Sequence, residues 1–260
     1  MVRKKKEAVA ENEEIQVFKV ERGEVSYCVL GLTPLITEAM SEKVKRELLL
    51  PKGRKTAADK AGTAKHDVLE EYRNSTYQAK DDTSPTRIVI PSTAFKGALR
   101  DVATDIPGAA KAQIGRLAFV KGYHIPVFGV PQLIMSVVRN SDQNHTPDIR
   151  TRAILPRWAC YLTIEYTIPL LNDVVVTNLL AAAGLMRGIG GWRPQKGAGD
   201  FGQFTLVDQD NPEFLDIVAT GGREPQDLAL ADPECFDSET VNMLSWFMAE
   251  TKRRGLKVVS

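Results

Sequence analysis

The segment from Arg187 to Gly202 carries the residue types that hold anions. It reads Arg187-Gly188-Ile189-Gly190-Gly191-Trp192-Arg193-Pro194-Gln195-Lys196-Gly197-Ala198-Gly199-Asp200-Phe201-Gly202, six glycines in sixteen residues with three cations between them. Glycine lets the backbone take positive φ and come close to a ligand. Successive amides of such a chain form an anion-binding nest, and arginine adds bidentate contacts to phosphate. Trp192 offers a ring on which a base can stack, typically contributing about 1–3 kcal/mol. The expected grip is Arg187, Gly190, Gly191, Trp192, Arg193, Lys196, Gly197 and Gly199. A turn that only redirects the chain needs the glycines but not three cations.

A second segment is Ile88-Val89-Ile90-Pro91-Ser92-Thr93-Ala94-Phe95-Lys96-Gly97-Ala98-Leu99-Arg100. Ser92 suits the N-cap of a helix running to about Ala103, and a helix N-terminus attracts anions. Lys96 and Arg100 are four apart and share a face. Ser92, Lys96 and Arg100 are the expected contacts, although, taken alone, this segment is explained better by a capped amphipathic helix with solvated cations. Lys52, Arg54 and Lys55 join the expected contacts from a stretch, Lys43 to Lys65, with eight basic residues against Glu47 and Asp59. From Asp208 to Glu239 ten acidic residues face one basic residue, Arg223. This asymmetry predicts a basic side toward a polyanion and an acidic side away from it, or against a neighbouring copy.

Other chemistries fit less well. The P-loop and the Rossmann fingerprint lie between a strand and the helix after it, whereas here a helix precedes the loop and a strand follows. Cys28, Cys160 and Cys235 form neither a disulfide framework nor a metal spacing, and His66, His124 and His145 are far apart. No metal and no cofactor are expected. His66, Asp67, Asp81 and Asp82 are candidates for acid–base work, but their spacing supplies no geometry, and His124 before Ile125-Pro126 reads as structural. The expectation is binding without catalysis. The 260 residues are 43% hydrophobic and 26% charged with a net charge of +1. No apolar run approaches the roughly 20 residues of a membrane helix, the start lacks a secretory core, and a cytoplasmic location is expected.

Periodicity predicts the elements that position these residues. Residues 1–14 read as a disordered tail, and 15–260 as one domain. Ile15–Val20 and Val25–Leu35 read as strands around a turn at Glu21–Gly23. Residues 37–86 form an excursion, with Ser41 capping a helix to Leu50 and a second helix within His66–Tyr77. Arg87–Ile90 is a strand, followed by helices at Ser92–Ala103 and Ala109–Val120. Val127–Val138 and Trp158–Leu170 read as strands around a polar, turn-rich Arg139–Pro156. An apolar helix covers Val174–Met186, a strand Phe201–Val207 and an amphipathic helix Ser238–Arg254. The pattern is α+β, an antiparallel sheet with helices on one face.

Together the two segments resemble the repeat-associated mysterious proteins, the RAMP superfamily of CRISPR effector complexes. Ile90-Pro91-Ser92 with Phe95-Lys96-Gly97-Ala98-Leu99-Arg100 looks like that family's strand–helix motif. Gly190 to Gly202 looks like its late glycine-rich loop. The resemblance implies a ferredoxin-like, RRM-related core with a long insertion, or thumb, at about 37–86. It further implies a backbone subunit that oligomerises along single-stranded RNA, with copies of itself and other effector subunits as partners. Leu32-Thr33-Pro34-Leu35-Ile36 and Met40-Ser41-Glu42-Lys43 look more like phage early-region proteins. Two alternatives therefore stand beside it: a phage single-stranded DNA-binding protein of replication or recombination, and a protein-interaction decoy or inhibitor.

Overall fold

A computed structural model describes residues 19–50, 64–139, 147–196 and 199–256. In chain order the first elements are β1 (Glu21–Gly31), β2 (Leu35–Ile36), α1 (Glu42–Leu49), α2 (Val68–Asn74), β3 (Tyr77–Gln78) and β4 (Ile88–Pro91). Then come α3 (Ser92–Val102), α4 (Lys111–Leu117), β5 (Ala118–Val120), β6 (His124–Pro126), β7 (Gln132–Arg139) and β8 (Pro147–Leu155). The last are β9 (Ala159–Ile168), α5 (Asp173–Met186), β10 (Phe204–Val207), α6 (Pro212–Thr220), α7 (Arg223–Ala231) and α8 (Ser238–Arg254). The expected tail at 1–14 and the contacts Lys52, Arg54, Lys55 and Gly197 lie outside the described residues.

The largest sheet has the strand order β10-β1-β9-β5, and every neighbouring pair is antiparallel. Side chains alternate along β9 because the strand period is two: Leu162, Ile164 and Tyr166 are buried, while Tyr161 is exposed and Thr163 and Glu165 only half-buried. The buried face takes Phe95, Leu99 and Val102 of α3 and Val176, Leu180 and Ala183 of α5. Trp158 is fully buried beside Phe204, and its indole N–H donates to the Thr33 carbonyl at 2.9 Å. Between β1 and β9 the chain builds two smaller sheets, β2-β8-β7 and β3-β4-β6.

Several expectations change. Glu21–Gly23 is not a turn but the first part of β1, paired with Ile168, Thr167 and Tyr166. Gly23 stays in the strand because the Tyr166 ring occupies the space of a Cβ, 2.5 Å from where one would sit. The helix expected at 109–120 ends at Leu117, and Ala118–Val120 joins the large sheet beside β9. The strand expected from Val127 starts at Gln132. Much of the polar stretch 139–156 is β8, whose alternation buries Thr151, Ala153 and Leu155. Helices do not keep to one face: Phe214 and Ile217 of α6 cover Cys28, Leu30 and Ala159 at one end of the other face. The acidic stretch folds as α6 and α7, and part of its charge is spent internally. Asp216 pairs with Arg157, and Asp227 with Arg87 and Arg223.

Ser41 does cap α1, accepting from the Val44 amide at 3.3 Å. Around the excursion, His66 Nδ1 lies 2.8 Å from Glu71 and its Nε2 3.3 Å from Asp148 on β8. The Glu71 hydrogen bond holds the imidazole above its ordinary pKa, aided by the nearby carboxylates and opposed by burial and Lys65. Among the described residues no helix is long and apolar enough to cross a membrane.

Candidate nucleic-acid interface

The two segments singled out from the sequence meet in space. The glycine-rich loop leaves α5 at Arg187 and lies against the C-terminal end of α3. Gln195 Nε2 donates to Asp101 Oδ2 at 2.6 Å. The Arg187 guanidinium pairs with Asp105 and donates to Thr104 Oγ1 at 3.0 Å. Asp101 also receives Arg100 at 2.9 Å and Lys111 at 3.0 Å, with its own side chain only 12% exposed. Burial opposes its ionisation, but the hydrogen bonds from Lys111, Arg100 and Gln195 prevail and hold its pKa below the ordinary carboxylate value. One carboxylate thus gathers a helix, its neighbour α4 and the loop.

The loop's internal geometry explains its glycines. Gly190 has φ 78°, and a Cβ there would meet the Ile36 carbonyl at 2.5 Å. At Gly199 a Cβ would meet the Trp192 carbonyl at 1.7 Å. Both glycines serve close packing of the loop on itself and on β2. The amides follow suit: those of Ile189, Gly191, Gln195, Lys196, Phe201 and Gly202 already donate to protein carbonyls. The expected nest is therefore largely spent within the fold, and anion contacts fall to side chains.

Those side chains divide into two groups. Lys196 is exposed at the end of a short 3-10 turn, Pro194–Lys196. Arg193 is half-buried, bonded to Gln195 Oε1 at 3.0 Å and to the Gly190 carbonyl at 2.8 Å. Arg187 is 18% exposed and committed to Asp105, which makes it a brace between loop and helix. Trp192 is half-buried, packed with Phe201 over Ile36, Ile134 and Ile154, and Arg152 of β8 lies over its ring at 5.7 Å. Its φ of 49° is unusual for a bulky residue.

On α3 the N-cap is Pro91 rather than Ser92, which is the first helical residue; Pro91 supplies no side-chain cap. The Ser92 amide instead donates to the Tyr123 carbonyl at 2.9 Å. Lys96 Nζ sits 4.3 Å from the centre of the Phe119 ring. Arg100 is half exposed beside Asp101. Ser92, Lys96 and Arg100 lie along one helix, the loop against its C-terminal end, and Lys196 near the turn that carries Gln195.

Sequence reasoning missed Lys111, Arg150 and Arg152. The last two are alternate residues of β8 on the face shared with Ile154, and Arg152 pairs with Glu38 at 2.9 Å. The alternation Ile149-Arg150-Thr151-Arg152-Ala153 was the available signal, since it has the period of a strand.

No protein-family model and no curated protein matches the chain. Among solved structures it is similar to a chain of the Type III-B Cmr-beta bound to cognate target RNA, with TM-score 0.34 and 15% identity over 72% of this chain. It is also similar to Cmr6 from Pyrococcus furiosus, with TM-score 0.33 and 9% identity over 72% of this chain. The matched part spans 59% of the first chain and 99% of the second. Likeness at these TM-scores assigns the chain no fold and no role.

Proposed function

We propose that this protein holds single-stranded nucleic acid, RNA in preference to DNA, as a non-catalytic subunit of a CRISPR-like ribonucleoprotein that assembles in several copies. The observation that carries the reading is the Gln195–Asp101 contact, which brings the glycine-rich loop and the Lys96/Arg100 helix into one basic surface. The order β1, α3, β5, β9, α5, β10 is β-α-β-β-α-β, the order of a ferredoxin-like unit. That supports reading the large sheet as a ferredoxin-like core, with 32–91 and 121–158 as insertions in it.

Assembly in several copies rests on two exposed apolar patches of opposite charge. Val44, Leu48 and Leu49 of α1 and the adjacent Leu50 are exposed beside Lys45 and Arg46. Leu215 of α6 and Leu228 of α7 are exposed within the acidic stretch Asp208–Glu239. A contact between unlike patches is heterologous and, where the rotation between copies does not close a ring, propagates as an open chain of subunits.

The test is binding of matched ribo- and deoxyribo-oligomers across a salt series. The reading expects affinity that falls steeply with salt, a preference for the ribo-oligomer through its 2′-OH, and no cleavage of either. Preference for the deoxyribo-oligomer selects the single-stranded DNA alternative. Absence of binding to both at low salt overturns the nucleic-acid reading.

A further inference from the structure

The exposed face of α3 has a feature that packing does not explain. Gly97 stands in the interior of the helix, where glycine is the least favourable residue after proline. A Cβ there would meet nothing within 4 Å, so the fold itself does not need the gap. At 100° per residue Thr93, Lys96, Gly97 and Arg100 share one face of the helix. Glycine on an open face lets another chain approach the helix backbone.

The surroundings of that face carry aromatic rings between cations. Phe119 on the edge strand β5 is 37% exposed, with Lys96 4.3 Å from its ring centre and Arg22 of β1 5.8 Å away. Tyr123, in the turn between β5 and β6, is 90% exposed, and the Ser92 amide fixes its carbonyl at the start of α3. Arg22 shares its charge with Glu165 at 2.8 Å, and Lys121 with Glu24 at 2.7 Å. No carboxylate pairs with Lys96 among the described residues. Lys96 therefore reaches the Phe119 ring around the edge strand as a cation that no carboxylate offsets, while Arg100 and Lys111 share Asp101 farther along the helix. The charge of Lys96 complements a phosphate, and the exposed rings complement bases.

We propose that Phe119 and Tyr123 are base-stacking residues for a single strand that crosses α3 at Gly97, its phosphates held by Lys96 and Arg100. This rests on the nucleic-acid reading above and extends its basic surface along α3, away from the glycine-rich loop, to rings on β5 and the turn after it. Neither ring belongs to either sequence motif.

The experiment measures affinity of the full chain for a base-bearing oligonucleotide and for an abasic one of equal length. Phe119→Ala and Tyr123→Ala should each weaken the base-bearing oligomer by about 5- to 150-fold, the range set by one lost stack. The abasic oligomer should bind the wild type and both variants alike. Tyr123 is so exposed that its replacement leaves the fold intact. Gly97→Gln improves helix propensity, so it should keep or raise the melting temperature while weakening both oligomers. Undiminished binding of the base-bearing oligomer by Phe119→Ala and Tyr123→Ala overturns the stacking assignment and leaves the loop reading standing. Undiminished binding by Gly97→Gln overturns the crossing point. Failure of the wild type to bind either oligomer overturns the nucleic-acid reading itself.

Discussion

Replacing Asp101 with Asn removes the charge that joins α3, α4 and the glycine-rich loop. The largest loss is the bond from Gln195 at 2.6 Å, in a half-buried setting; hydrogen bonds to a charged group contribute about 1.5–3 kcal/mol. The Arg100 and Lys111 side chains are 47% and 48% exposed, so each ion pair adds only about 0–1 kcal/mol. Together Asp101→Asn should cost about 2–4 kcal/mol, a fall in Tm of roughly 5–15 °C for a chain of this size. The carboxyl's pKa is lowered in the folded state. Its stabilisation is therefore fully present above the unfolded value of about 4 and is lost as pH falls through the lower folded value. Thermal unfolding of wild type and variant, followed by circular dichroism, should show the full gap near neutrality and a closing gap in acid. A variant that melts with the wild type, or a gap indifferent to acid, refutes Asp101 as the brace. Gln195→Ala should add little in the Asp101→Asn background, because both remove the same contact.

Three further outcomes follow from the same geometry. The His66 pKa is raised, so its contribution is complete below the unfolded value of about 6.5 and disappears as pH rises through the folded value; His66→Gln should flatten that part of the stability–pH curve. Lys196→Ala should reduce the slope of log affinity against log salt by about 0.7, one single-strand phosphate contact, in a filter-binding series. Gly202→Ala should cost more than about 2 kcal/mol by chemical denaturation, since φ is 72° and a Cβ would lie 1.8 Å from the Ile189 carbonyl.

Elements with a strong local signal were legible in the sequence. The final helix is Ser238–Arg254 as its period predicts, and the apolar run 174–186 is α5 with Asn172 as its cap. Residues whose role depends on distant partners were not legible. Glu21–Gly23 looks like a turn by composition, but the ladder to β9 overrides that preference. Ala118–Val120 continues a helical pattern until Tyr166, Glu165 and Ile164 offer hydrogen bonds. At the candidate site the residue types were readable, whereas their employment was not. Arg187 reads as a phosphate ligand until Asp105, remote in sequence, claims it. The glycines read as a nest, but the Ile36 and Trp192 carbonyls crowd them from outside and within. Phe119 and Tyr123 carry no motif, and only the fold puts them beside α3.

The central place of β1 bears on how the chain is made. Both of its neighbours come late: Arg22 finds Glu165 across 143 residues, and β10 follows β9. At about 5–20 residues per second, a ribosome exposes β1 with two open edges for roughly 7–30 s before β9 emerges. An unpaired strand invites pairing with other nascent chains, and charges along it discourage this. Glu21, Arg22 and Glu24 occupy the end of β1 that stays exposed in the folded protein. The same residues that leave this end of the sheet open to solvent thus protect the strand during synthesis, and replacing them with apolar residues trades soluble yield for stickiness before any ligand is met.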